Sequence, residues 1–310
     1  MIFAAVGFAG ANVMAYRHAH AMMNFVTTGA RAIKPEGLSF GTKAKLLFTG
    51  VDVPRPAAEH DPAELAADTR VLSIDGSDDI TLEAWYCDRG RETPLVILFH
   101  GYTAQKSDLL PEAHKFLELG ASVLMVDFRG SGGSSESYST IGMYEGTDVA
   151  TVARYAKDNF SHSSTILFGT SMGAAAILRA AHEETIEPDA VILEAVFDEM
   201  LSTVCNRFDI MGVPSFPAAR LLVFWGGMQF GFNGFANNPV EYARSLKCPV
   251  LFMHGANDPR AKLAEGRSVY DAVTGNRKWF KEFSEAGHQS YVAANSDQWQ
   301  TAVLDFFSEK

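Results

Sequence analysis

Gly169-Thr170-Ser171-Met172-Gly173 is the stretch of this sequence whose residue types and spacing most plainly could do chemistry. It follows the apolar run Thr165-Ile166-Leu167-Phe168 and precedes the helix-prone Ala174-Ala175-Ala176-Ile177-Leu178. Strand, tight turn and helix are the expected local order. A serine hydroxyl is a poor nucleophile and must project to a place where a base can reach it. A sharp turn achieves this, and glycines on both sides let the neighbouring backbones approach. The helix start after the serine also supplies N–H donors for a developing oxyanion.

Such a turn needs strands and helices to hold it. Val71–Ile74 and Ile80–Cys87 flank Gly76-Ser77-Asp78-Asp79 and read as a hairpin. Continuous apolar runs of the buried-strand kind follow at Leu95–Phe99, Ser122–Phe128, Thr165–Phe168, Ala190–Leu193 and Pro249–Met253. Helical patterns fill the gaps near Met143–Asn159, Met172–Glu183, Lys262–Thr274 and Tyr291–Phe307. This alternation predicts an α/β fold with a mostly parallel, twisted sheet and helices on both faces. Gly130, Gly132 and Gly133 do not give the spacing of a dinucleotide fingerprint.

With the serine turn in this context, the sequence resembles the α/β-hydrolase family, and within it the Bem46-like and serine aminopeptidase-like serine hydrolases, over roughly residues 70–307. The resemblance implies a set of partners for Ser171. His100-Gly101-Tyr102-Thr103 matches the oxyanion loop, so the N–H groups of Tyr102 and Met172 would hold the oxyanion, with the Tyr102 ring a candidate for lining an acyl pocket. His100 itself reads as a structural loop histidine. His254-Gly255-Ala256-Asn257-Asp258 matches the acid loop, and Asp258 is the expected acid, with Asp198 as the alternative one strand earlier. Gly287-His288-Gln289 supplies the base, and the order Ser171, Asp258, His288 is that of this fold. Asp127-Phe128-Arg129-Gly130-Ser131-Gly132-Gly133-Ser134 fits the family's DxRGxGxS run, read as a loop pinned by Asp127 and Arg129. The implied reaction is hydrolysis of a small-molecule carboxylic ester through an acyl-enzyme. A peptidase, amidase or thioesterase is the alternative within catalysis. A membrane-tethered, inactive hydrolase-fold binding protein is the alternative outside it. No metal and no organic cofactor is implied.

About fifty residues separate Val196 from Pro249, too many for a simple crossover. A small helical cap over about residues 197–245 is expected here. Its aromatics include Phe208, Phe224 and Trp225, candidates for lining an apolar substrate pocket. Gly226, Gly227, Gly231 and Gly234 break this stretch into short helices and turns. The segment shows no cationic cluster to favour phosphorylated substrates.

The chain has 310 residues and a net charge of −11, unevenly spread. Residues 1–60 carry six Lys/Arg against three acids, which leaves −14 for the rest. Clustered basic residues are absent from the body, which argues against a nucleic-acid partner. Cys87, Cys205 and Cys248 form neither a metal-type spacing nor a disulfide framework and read as free thiols. Residues 1–30 read as an apolar, then amphipathic helix. Membrane anchor, cleaved signal and a helix packed on the body are the competing readings; as an anchor it would leave the body cytoplasmic. Residues 31–68 read as a connecting segment and 69–310 as the hydrolase body. Oligomeric state is not legible.

Overall fold

The computed structural model of the chain describes residues 2–27, 50–57, 60–77, 79–184 and 186–309. Most of the expected connecting segment, including Arg31, Lys34, Lys43 and Lys45, lies outside them, as does Asp78 in the hairpin turn. The strands are β1 (Phe25–Val26), β2 (Val53–Pro54), β3 (Arg70–Asp75), β4 (Thr81–Cys87), β5 (Leu95–Phe99), β6 (Ser122–Val126), β7 (Thr165–Thr170), β8 (Ala190–Glu194), β9 (Val250–Gly255) and β10 (Lys278–Phe283). The helices are α1 (Ile2–Met23), α2 (Leu110–Glu118), α3 (Glu145–Asn159), α4 (Met172–Glu183), α5 (Met200–Met211), α6 (Ala218–Gln229), α7 (Pro239–Ala243), α8 (Leu263–Ala272), α9 (Tyr291–Ala294) and α10 (Ser296–Glu309).

Eight strands form one sheet in the order β10-β9-β8-β7-β5-β6-β4-β3. The pairs from β10 across to β6 are parallel, and β4 joins antiparallel on β6 and β3. The central strands are apolar throughout because both faces are covered. Strand alternation divides them between two cores. Ile97, Phe99, Leu124 and Val126 point to one face, where Val149 of α3, Ile177 of α4 and Val269 of α8 pack. Val96, Leu98, Val123 and Met125 point to the other, against Phe116 of α2 and Trp299, Val303 and Phe306 of α10. The expected single C-terminal helix is divided in two at Asn295, between α9 and α10.

The insertion between β8 and β9 is helical, as expected, and holds α5, α6, a short 3-10 turn at Gly234–Ala236, and α7. The N-terminal helix lies along it: α1 packs against α6. Ala15, Ala19 and Met23, spaced four apart on one face, are buried. Small residues allow a close approach, and a Cβ on Gly226 would sit 3.1 Å from Met23 Sδ. Trp225 Nε1 donates to Asn12 Oδ1 at 3.0 Å, and its ring meets Tyr16 edge-on. No helix among the described residues is long and apolar enough to cross a membrane.

The stretch after residue 50 is more than a connector. β2 pairs with β1, and Arg55 donates to the carbonyl oxygens of Gly132, Ser134 and Glu136. It thereby stitches the N-terminal segment to the turn after β6.

Candidate active site

Ser171 stands between β7 and α4 with φ 53° and ψ −111°, a conformation that is costly for a residue with a side chain. Its N–H donates to the Glu194 carbonyl on the neighbouring strand at 2.8 Å, which pins the turn. Both flanking glycines are sterically required. A Cβ on Gly169 would stand 2.6 Å from the Gly173 carbonyl carbon, and one on Gly173 would collide with Phe99 O. These contacts give the physical reason for the glycine spacing read in the sequence.

Asp258 and His288 come together from two loops, after β9 and after β10. His288 Nδ1 lies 2.7 Å from Asp258 Oδ2. Asp258 Oδ1 accepts the N–H groups of Arg260 at 2.8 Å and Ala261 at 3.0 Å. Burial by itself would push the Asp258 carboxyl up; the hydrogen bond and charge of His288 and the two N–H groups outweigh it and hold the group below its ordinary value. Asp198 is elsewhere: its side chain accepts the Glu199 N–H at 2.6 Å, a local turn contact.

Ser171 and His288 line one cavity of about 530 Å³, together with Gly101, Tyr102 and Met22. Their side chains are not hydrogen-bonded to each other; the side-chain partner of His288 is Asp258. Met172 opens α4, so its N–H belongs to the unsatisfied first turn. The N–H groups of Tyr102 and Met172 are taken up by no acceptor among the described residues. The Tyr102 hydroxyl donates to the Met22 carbonyl, and its ring tilts against Phe25. The N-terminal helix therefore reaches the edge of the cavity.

The other motif residues are structural. His100 is fully buried, with Nε2 accepting the Phe128 N–H at 3.1 Å. Asp127 accepts the N–H groups of Lys106 and Gly133 and pairs with the Lys106 ammonium. Arg129 grips Asp148 through both Nε and Nη2. His254 is buried, with Nε2 2.8 Å from Ala261 O.

The three aromatics expected to line the pocket do not line this cavity. Trp225 is spent on α1, and Phe224 is 43 % exposed. Helical periodicity explains this: Val223, Gly226 and Gly227 form the inner face of α6, which turns Phe224 outward. Phe208 likewise stays outside the lining. A separate apolar cavity of about 50 Å³ lies instead between α1, α5 and α6, walled by Ala19, Met22, Val204 and Val223.

Five charged residues of the main cavity were not singled out in the sequence: Asp108, Glu112, Glu194, Arg207 and Arg260. Burial, together with the neighbouring Glu112, raises the Glu194 carboxyl well above its ordinary value, though Trp299 Nε1 donates to it at 2.6 Å. Burial also raises Glu112, whose Oε1 accepts from Ser290 while Oε2 has no hydrogen-bond partner. Of the five, Glu194 alone left a signal, a carboxylate ending an apolar strand at its C-terminal edge, where sites of open α/β sheets gather.

The chain is 28% identical over 222 residues to the uncharacterized protein YqkD of Bacillus subtilis, covering 69% of this chain and 72% of that protein. It is 27% identical over 213 residues to the lysophosphatidylserine lipase ABHD12 of Rattus norvegicus, covering 65% of this chain and only half of that protein's length. Among solved structures it is similar to the esterase Pf2001 of Pyrococcus furiosus, with a TM-score of 0.68 and 22% identity over 82% of this chain and 98% of that one. In keeping with the resemblance to Bem46-like proteins read from the motifs, the chain is 21% identical over 254 residues to the protein bem46 of Schizosaccharomyces pombe, covering 80% of this chain and 79% of that protein. Residues 59–161 match the acetyl xylan esterase family. Residues 111–310 match the prolyl oligopeptidase family, well over half of the chain, and with the serine turn and the doubly covered parallel sheet this places the protein in that family of α/β hydrolases.

Proposed function

We propose that this hydrolase-fold protein is a serine-dependent carboxylic ester hydrolase, a carboxylesterase working through an acyl-enzyme. The observation that carries the reading is the strained Ser171 turn opening into the same cavity as the His288–Asp258 pair. Ser171 Oγ attacks the ester carbonyl while His288 Nε2 takes its proton. Asp258 accepts the Nδ1–H, fixes the tautomer and stabilises the imidazolium. The N–H groups of Tyr102 and Met172 hold the oxyanion. His288 returns the proton to the leaving alcohol, and a water it then deprotonates releases the acid. The helical insertion acts as a cap, with α1 bracing it and Met22 and Tyr102 forming the wall beside Ser171.

The test is hydrolysis of 4-nitrophenyl esters from acetate to palmitate by the wild type and Ser171→Ala. The expected result is turnover within the series and a loss of at least about 10³-fold in Ser171→Ala. Turnover equal in the two proteins would overturn the assignment. Inertness toward every ester, with Ser171-dependent cleavage of peptide or thioester substrates, would replace it by the alternative chemistry.

A further inference from the structure

The cavity that holds Ser171 and His288 is also lined by Arg207, from α5, and Arg260, from the loop after β9. One comes from the insertion and the other from the loop beyond the strand that follows it. Neither guanidinium makes a hydrogen bond or an ion pair among the described residues. Arg207 is half-buried, and Arg260 is exposed at the mouth. Burial and the charge of Arg260 both press the Arg207 guanidinium below its ordinary value. The buried Lys and Arg side chains among the described residues are neutralised: Lys106 by Asp127 and Glu83, and Arg129 by Asp148. Holding two like charges together, one of them partly desolvated and without a counter-ion, costs stability.

The carboxylates that share the cavity do not neutralise this pair. Glu112 and Glu194 are pushed toward their neutral forms by burial. Asp108 accepts the Gln105 N–H at 2.9 Å. Asp258 attracts Arg207, but its oxygens are committed to His288 and to backbone N–H groups. Uncompensated positive charge is left at one side of the cavity that holds Ser171.

We propose that Arg207 and Arg260 form an anion subsite, and that the substrate is an ester carrying one carboxylate or phosphate group near the scissile bond. The inference rests on the ester-hydrolase reading of Ser171 for the word ester, and on the two arginines alone for the anion. Guanidinium forks match the geometry of both oxyanions. The overall charge of −11 opposes polyanions, so a single local anionic group is the form that fits.

The test separates the two claims. Glutarate and inorganic phosphate are titrated calorimetrically into Ser171→Ala protein, which cannot turn over but keeps both arginines. Binding of at least one of them is expected, weakened tenfold or more by adding Arg207→Gln and largely retained with Arg207→Lys. The thermal midpoint of Arg207→Gln is expected to stay level or rise, since an unneutralised charge is removed; an arginine with only a structural role would lower it. Kinetics then locate the anion. Mono-4-nitrophenyl glutarate is compared with 4-nitrophenyl pentanoate, which puts the charge on the acyl side. 1-Butyrylglycerol 3-phosphate is compared with 1-butyrylglycerol, which puts it on the alcohol side. For one pair the anionic ester is expected to lead by tenfold or more in kcat/KM, and Arg207→Gln to erase that lead. Absence of anion binding, or the same binding in Arg207→Gln, would overturn the subsite. Arginine-dependent binding with no ester turnover would leave the subsite standing and remove the esterase reading.

Discussion

Ser171 pays for its exposure with backbone strain, and Gly169 and Gly173 are what let the strained turn fit under β5 and α4. The same residue scale separates the two candidate acids. Asp258 is buried and touches His288, whereas Asp198 is spent on a local N–H. Asp258→Asn is therefore expected to lower kcat/KM by about 10²–10⁴-fold, since the amide cannot stabilise the imidazolium or enforce its tautomer. Asp198→Asn is expected to stay within about threefold of wild type. Steady-state kinetics on one short-chain ester compare the two, and an inverted ranking would reassign the acid.

At the scale of elements, α1 packs on the helical insertion, one of the readings open for residues 1–30. Its small buried face fits the glycine-bearing face of α6, and Trp225 binds it through a ring contact and a hydrogen bond. Trp225 is thus structural in place of pocket-lining. Trp225→Ala is expected to cost about 1–3 kcal/mol and to speed proteolytic cleavage within residues 1–27 by several-fold. Thermal melts and limited proteolysis followed by mass spectrometry measure this. Unchanged cleavage would mean that other contacts carry the docking. Because Met22 borders both cavities, loosening α1 is also expected to disturb ester hydrolysis.

For the whole molecule, the insertion must be held against the two-faced sheet. One fastening is Asn206 on α5, whose amide donates to Glu265 Oε1 on α8 and to the Arg260 carbonyl. Burial raises the Glu265 carboxyl to about 7, with the Asn206 hydrogen bond opposing it. The sign follows. A carboxyl raised on folding contributes most below its unfolded value, and that contribution fades as pH rises through about 7. Replacing it by an amide removes the fading term. Urea unfolding of wild type and Glu265→Gln from pH 5 to pH 8 is expected to move by about 1–2 kcal/mol in favour of the variant as pH rises, because solvent screens part of the interaction. Curves that stay parallel across that range would contradict it.

The sequence by itself determined most of the core strands and their helices and the serine turn, and its resemblance to α/β hydrolases named Asp258 and His288 as partners for Ser171. The elements and the turn are written locally: apolar runs of strand length and glycines that a tight turn demands. The two cores also follow, since every second residue of β5 and β6 must face the opposite way. Tertiary structure alone decided what shares the cavity with Ser171. Arg207 and Arg260 are 53 positions apart, and no cationic cluster is visible until α5 folds back over the loop after β9. The direction in which Phe224 and Trp225 point was fixed by which face of α6 meets α1, a contact between segments some two hundred residues apart. Pairings of that separation leave no periodic trace in the chain, because each partner looks locally like an ordinary amphipathic helix.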